Sequence, residues 1–199
     1  MSNYPVTVDE AVEHLRLGPT VDDEEWLSVE QMISAATALA ESICSRSWMQ
    51  TTKTVGYSRF PDSSWPKTGQ YLLLPGGEVS SITSLKYYDT SDPPVEKTLG
   101  SSLYRLVTGY GLPRVYPAMG ESWPTDANSC EPDHITITYV VGDNDVLDVP
   151  APVKSAILLI VGSLYEYRED GVIDNAGLAL VRAPVAAKDL LHPYKMRIA

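Results

Sequence analysis

Cys130 and His134 stand four positions apart, close enough to offer a thiolate and an imidazole to one metal ion. A zinc site needs four ligands, or three and a water, and no second pair lies near them. His14 and His192 are isolated. Asp143, Asn144 and Asp145 begin like a calcium loop, but the sixth position is Asp148 where glycine is required and the twelfth is Lys154 where glutamate is required. Gly109-Tyr110-Gly111 begins like a dinucleotide loop, yet Arg114 occupies the third glycine position and the flanks read as a hairpin. The run Asp22–Glu25 could supply a general acid and base, but nothing apolar surrounds it to split the pKa values. Neither the Gly-x-Ser-x-Gly elbow nor a Gly-Lys-Ser/Thr phosphate loop occurs. The sequence therefore predicts no catalytic residue, no cofactor and no metal, and a protein that is not an enzyme.

These residues are carried by elements of two kinds. Thr7 and Glu10 form a capping-box pattern that opens a helix through Leu17, with Val8, Ala11, Val12 and Leu15 on one face. A long helix is predicted from Asp22 to Ser45, with Trp26, Val29, Ile33, Ala36, Ala40 and Ile43 at helical spacing and carboxylates in its first turn. From Gln50 to Val149 the pattern is short and strand-like, broken often by Pro and Gly. "TTKTVGYSRF", "QYLLLP" and "SITSLKYYD" read as strands, "SLYRLVTG" with "PRVYP" as a hairpin, and "DHITITYVVG" as the clearest strand. Helix resumes after Pro150, capped in this reading by Asp148, with Val153, Ile157, Ile160, Val161, Leu164 and Arg168 in one stripe. Gly171 to Arg182 reads as a loop, and Val185 to Leu191 as a short amphipathic piece.

The fold expected is α+β: a helical bundle from the N- and C-terminal segments, with a small antiparallel β-rich lobe inserted between them. Its divisions are 1–49 (N-terminal helices), 50–149 (β-rich lobe), 150–192 (C-terminal helices) and 193–199 (tail).

The 199 residues carry a net charge of −11, which repels phosphate backbones and argues against nucleic acid as a tight ligand. Cys44 and Cys130 suggest no disulfide framework and suit a reduced compartment. The N-terminus reads as no signal peptide. The apolar part of "VPAPVKSAILLIVGSLYEYRED" is too short for a bilayer span of roughly 20 residues, so no membrane is expected. Its helix is apolar on more than one side, which suits contact with several neighbours.

Several segments together resemble the head–tail connector, or adaptor, proteins of tailed bacteriophages. They are "VTVDEAVEHLRL" with the acidic turn and long helix after it, "RFP", "YLLLPGGEVSSITSLKYYD", "ESWPTD" and "DHITITYVVGDNDVLDVPAPVKSAILLIVGSLYEYRED". The resemblance runs nearly end to end and is weakest at Gly171 to Arg182. It rests on the order and combination of the segments, since no single motif is diagnostic. It implies a virion structural protein of the neck, assembled in the host cytoplasm. As a homo-oligomeric ring, usually a dodecamer, such a protein sits on the portal protein and extends the DNA channel. It also docks the downstream neck or tail protein, and DNA passes through without specific binding. The alternatives are another neck component, such as a stopper or tail-completion protein, or a soluble enzyme or binding module; the long terminal helices argue against the stopper.

Two sets of residues are candidates for this work. A head-to-tail ring needs two different faces per subunit, and Lys154, Leu158, Leu159, Glu166 and Arg168 lie on the apolar helix where a second face would be. The first 30 residues hold eight acidic side chains and one basic, whereas the chain ends on a basic, partly apolar tail. Pro193, Tyr194, Lys195, Met196, Arg197 and Ile198 are the candidate portal-docking segment, a basic tail that could enter an acidic groove.

Overall fold

The computed structural model describes residues 4–18, 21–61, 70–109, 112–127, 133–167 and 184–196. The chain divides into two compact units, a helical one built from Met1–Met49 with Asp143–Lys195 and a β unit beginning at Gln50 and running to Gly142. The fold is α+β, and the described residues form four α-helices and two antiparallel sheets.

In the helical unit, α1 (Val8–His14) opens on the predicted capping box: Thr7 Oγ1 accepts from Glu10 N at 3.2 Å, and Glu10 Oε2 accepts from Thr7 N at 2.7 Å. It ends before Leu17 because Arg16 turns into the left-handed region (φ 55°) and Leu17 N reaches back to Val12 O. Helix α2 (Asp23–Cys44) is capped by Asp22, whose carboxylate accepts from Glu25 N at 2.8 Å. It stops the same way, with Ser45 at φ 55° and Arg46 N bonded to Glu41 O.

Helix α3 (Ala151–Glu166) begins at Pro150, not on a side-chain cap. Asp148, predicted to cap it, closes a 3₁₀ turn over Val146–Asp148, and Asp145 caps that turn through Leu147 N. Proline makes a side-chain cap dispensable there, since its φ already suits the first turn. Helix α4 (Val185–Leu191) coincides with the predicted amphipathic piece.

The four helices share one core. Val29, Ile33, Ala36, Ala40 and Cys44 of α2 meet Val153, Ala156, Ile157, Ile160 and Val161 of α3, with Ala11, Ala187 and Leu191 closing its sides. Fully burying an aliphatic side chain of this size contributes about 1.5–3 kcal/mol, so this stripe dominates the stability of the unit. The small residues Ala36, Ala40 and Ala156 let the helix axes approach. Residues Asp143–Val149 belong to this unit, although the sequence places the boundary at Pro150. Asp143 N donates to Trp48 O at 2.9 Å, which returns the chain to the helical unit seven residues earlier.

The β unit holds a four-stranded sheet in the order β1 (Thr51–Tyr57), β7 (Ile135–Val141), β3 (Val79–Tyr88), β4 (Glu96–Thr98). Its second sheet has the order β2 (Leu72–Leu73), β6 (Arg114–Pro117), β5 (Tyr104–Val107). The alternation of β7 explains its central place: Ile135, Ile137, Tyr139 and Val141 are buried on one face. They pack with Leu72, Leu74, Leu85, Val115 and Trp123, and Phe60 stacks on Trp123 at 5.0 Å. The predicted hairpin forms, with Leu106 opposite Val115 and Arg105 opposite Tyr116. Strand β4 was not predicted; its three residues are all exposed and carry no apolar signal.

Candidate interaction surfaces

Helix α3 commits its core stripe to the helical unit and leaves the flanks partly open. Leu158 and Leu159 are half-buried, and both pack against the core of the unit as well as reaching its surface. Lys154 is half-buried, with Nζ 3.9 Å from Glu10 Oε1, and Glu166 is exposed at the last turn. A partly exposed ion pair at that distance contributes at most about 1 kcal/mol. Arg168 lies outside the described residues. Near the C-terminal end of α3 the Tyr165 hydroxyl donates to Glu25 Oε1 at 2.6 Å, tying α3 to the first turn of α2. Beside that tie Trp26 and Leu27 are 40% and 54% exposed. The sequence places Trp26 in the apolar stripe; it shares the face of Val29 and Ile33 but stands exposed one turn before the buried line begins at Val29.

The proposed docking tail divides in two. Pro193 and Tyr194 belong to a 3₁₀ turn, His192–Tyr194, that continues α4 within the helical unit. The Tyr194 ring meets Trp48 edge-on, and the Arg46 guanidinium covers the indole at 4.5 Å. Cys44 Sγ donates to Leu191 O at 3.6 Å, a second tie between the end of α2 and the end of α4. Burial pushes the Cys44 thiol up, outweighing the nearby charges of Arg46 and Lys195. Lys195 is exposed and Met196 half-buried. Arg197 and Ile198 lie outside the described residues, as does the predicted loop Gly171 to Arg182.

In the β unit, Lys97 bridges two carboxylates, Asp126 at 2.7 Å and Asp89 at 3.0 Å. Asp89 also accepts from Ser91 N and Val95 N, both at 3.0 Å, and so clamps the turn between β3 and β4. The Val95 amide, then Lys97 and the Ser91 amide, hold the Asp89 carboxyl well below the usual carboxylate range. Lys97 itself is raised, by Asp126 first and then by Asp89. This cluster fixes a turn.

The three-stranded sheet has a basic aromatic face. Leu72, Leu106 and Val115 point into the core, so alternation sends Arg105, Arg114 and Tyr116 to the other side. There Arg114 covers the Tyr71 ring at 4.6 Å, Tyr71 lies 5.4 Å from Tyr116, and Arg105 covers Tyr116 at 5.6 Å. Among the described residues neither guanidinium has a carboxylate within ion-pair distance, and Arg114 Nε is buried without an acceptor. The sequence reading missed this face. Its signal is the Arg and Tyr alternation in "YRLV" and "RVYP", which becomes a surface only once the register is known.

The described residues contain no group of three His, Cys, Asp or Glu side chains placed to hold a metal ion, and no helix among them is long and apolar enough to cross a membrane. His134, half of the Cys–His pair weighed for zinc, is buried with its ring edge-on to Tyr88; Cys130 lies outside the described residues.

No family model matches the chain, and no curated protein does. Solved structures match over almost its whole length. A chain from the neck of an empty gene transfer agent (GTA) particle, computed with C6 symmetry, superposes with a TM-score of 0.72 at 23% identity. That match covers 98% of this chain and 91% of the other. A chain from the virion of a native GTA particle gives 0.69 at 20% identity, over 98% and 91% of the two chains. One from the neck of a native GTA particle computed with C12 symmetry gives 0.68 at 20% identity, over 96% and 89%. At such identities the likeness establishes a shared fold.

Proposed function

We propose that this chain is a structural protein of the neck of a tailed, phage-like particle, where copies of it form a ring. The observation that carries this reading is the fold it shares, over 98% of its length, with a chain from a GTA neck. The residues support it independently. The helical and β units present aromatic and charged side chains at their surfaces, among them Trp26 and Arg105.

Within the neck, the role is that of the adaptor. It binds the portal protein, continues the DNA channel and offers its far side to the next neck or tail protein. Twelve copies satisfy both symmetries seen in the similar structures, because C6 is contained in C12. The net charge of −11 suits a conduit through which DNA slides without binding. Lys195 to Ile198 are the portal-docking tail, and Leu158, Leu159 and Glu166 contribute to the subunit interface. Assembly takes place in the host cytoplasm and the finished protein resides in the virion.

A reconstruction of the neck of particles that carry this protein tests the reading. The expected result is a ring of this chain between portal and tail. Purified particles that lack the chain would overturn it.

A further inference from the structure

We propose that the basic aromatic face of the three-stranded sheet in one copy receives the acidic first turn of α2 from the next copy, with Trp26 and Leu27 as its apolar anchor. The proposal deepens the ring reading above and rests on it. The face consists of Tyr71, Arg105, Arg114 and Tyr116, joined by the ring and guanidinium contacts already described. Each guanidinium lies over a ring, Arg114 over Tyr71 at 4.6 Å and Arg105 over Tyr116 at 5.6 Å, and keeps the paired N–H donors that suit a carboxylate. In a chain with 26 acidic and 15 basic residues, two guanidinium groups without a carboxylate partner among the described residues form an acceptor for an acidic surface.

The same chain supplies that surface. Asp22, Asp23 and Glu24 are exposed at the start of α2, and the exposed Trp26 and Leu27 follow one residue later. Tyr, Trp and Arg are the residues that most often carry binding energy at interfaces, and Trp26 can stack on a guanidinium while the carboxylates pair with its edge. Phosphate would recognise the same guanidinium groups, but the charge of the whole chain repels DNA. The two surfaces differ, so the contact is head-to-tail. Repeated around an axis, it closes into a ring and leaves neither surface unpaired.

Charge reversal tests the pairing in particles. Arg105→Glu/Arg114→Glu and Asp23→Lys/Glu24→Lys are each introduced as the sole copy, then combined in one chain, and the amount per purified particle is measured. Each reversal alone is expected to lower occupancy about tenfold or more, and the combined chain to restore it. Thermal melting of each purified variant checks its fold, and Arg→Gln with Asp23→Asn/Glu24→Gln replaces any pair that fails to fold. For that neutral set the expected result is a partial loss from either half.

Variants that enter particles at the wild-type level overturn the proposal and leave the neck reading standing. Loss from only one of the two reversals overturns it too, as does loss from both without restoration in the combined chain. Loss confined to the arginine variant, together with loss of wild-type binding to a short DNA duplex, would assign the face to DNA instead. Absence of the wild-type chain from particles overturns the neck reading itself.

Discussion

The Tyr194 ring meets the Trp48 indole edge-on, with centroids 5.8 Å apart and planes crossed at 76°. Trp48 is fully buried, so Tyr194 serves the helical unit as part of its wall. Of the proposed docking tail, Tyr194 is therefore committed to the helical unit. A chain ending at Tyr194 is expected to unfold at the same denaturant midpoint as the full protein, whereas one ending at His192 loses about 1–2 kcal/mol through the aromatic contact. Both are expected to lose binding to portal rings in a pull-down. Undiminished binding by the chain ending at Tyr194 would refute a portal-docking role for residues 195–199.

Ile157 and Leu159 differ in burial on one helix. Ile157 is fully buried, and Ile157→Ala is expected to cost about 2–5 kcal/mol in urea unfolding. Leu159 is half-buried, so Leu159→Ala costs less stability. Its larger effect is expected on the amount of protein recovered in particles. Equal loss of stability in the two variants would place Leu159 wholly in the core.

The Lys97 cluster makes the β unit sensitive to acid. Asp89 and Asp126 have depressed carboxyls, so their contribution is complete above about pH 4 and is lost as pH falls through their folded values. Lys97 is raised, so its share is complete below about pH 10 and declines above that. Lys97→Met is expected to flatten stability against pH at the acid end. Urea midpoints from pH 2 to 7 measure it, and an unchanged profile would count against the cluster as the source.

Tyr139 supplies a second alkaline limit. Burial, with a smaller effect from Tyr57, pushes its phenol up to about 12, while its hydroxyl donates to Pro75 O at 2.7 Å. A raised folded value means the folded chain holds the proton longer, so stability falls between about pH 10 and that value. Tyr139→Phe is expected to remove that portion of the decline at a cost of about 1 kcal/mol from the lost hydrogen bond. Phenolate absorbance followed against pH, with unfolding measured alongside, gives the answer.

The reciprocal bonds of Thr7 and Glu10 secure the first helix. Thr7→Ala is expected to cost about 1 kcal/mol, read from thermal melting; no change would mean α1 is held by packing alone.

Residue types and spacing announced much of this molecule. The capping box of α1, the aspartate cap of α2 and the alternation of β7 are local signals, each set by residues a few positions apart. The α+β division follows from them, because helical and strand periods cannot be exchanged within a segment. Local pattern failed where a neighbour decided the outcome. Trp26 reads as core yet stands exposed, since its burial depends on what lies opposite. Strand β4 exists only because β3 offers it an edge. Tyr194 reads as tail but lies against Trp48, 146 positions earlier in the chain.

The sequence by itself determined the helices, the strands other than β4, and the acidic charge of the whole, because these depend on near neighbours and on sums. Only the tertiary structure decided which side chains share a surface. The face of Tyr71, Arg105, Arg114 and Tyr116 is the clearest case. Its members come from β5, β6 and the residue just before β2, and a one-residue change of register between β5 and β6 would send half of them into the core.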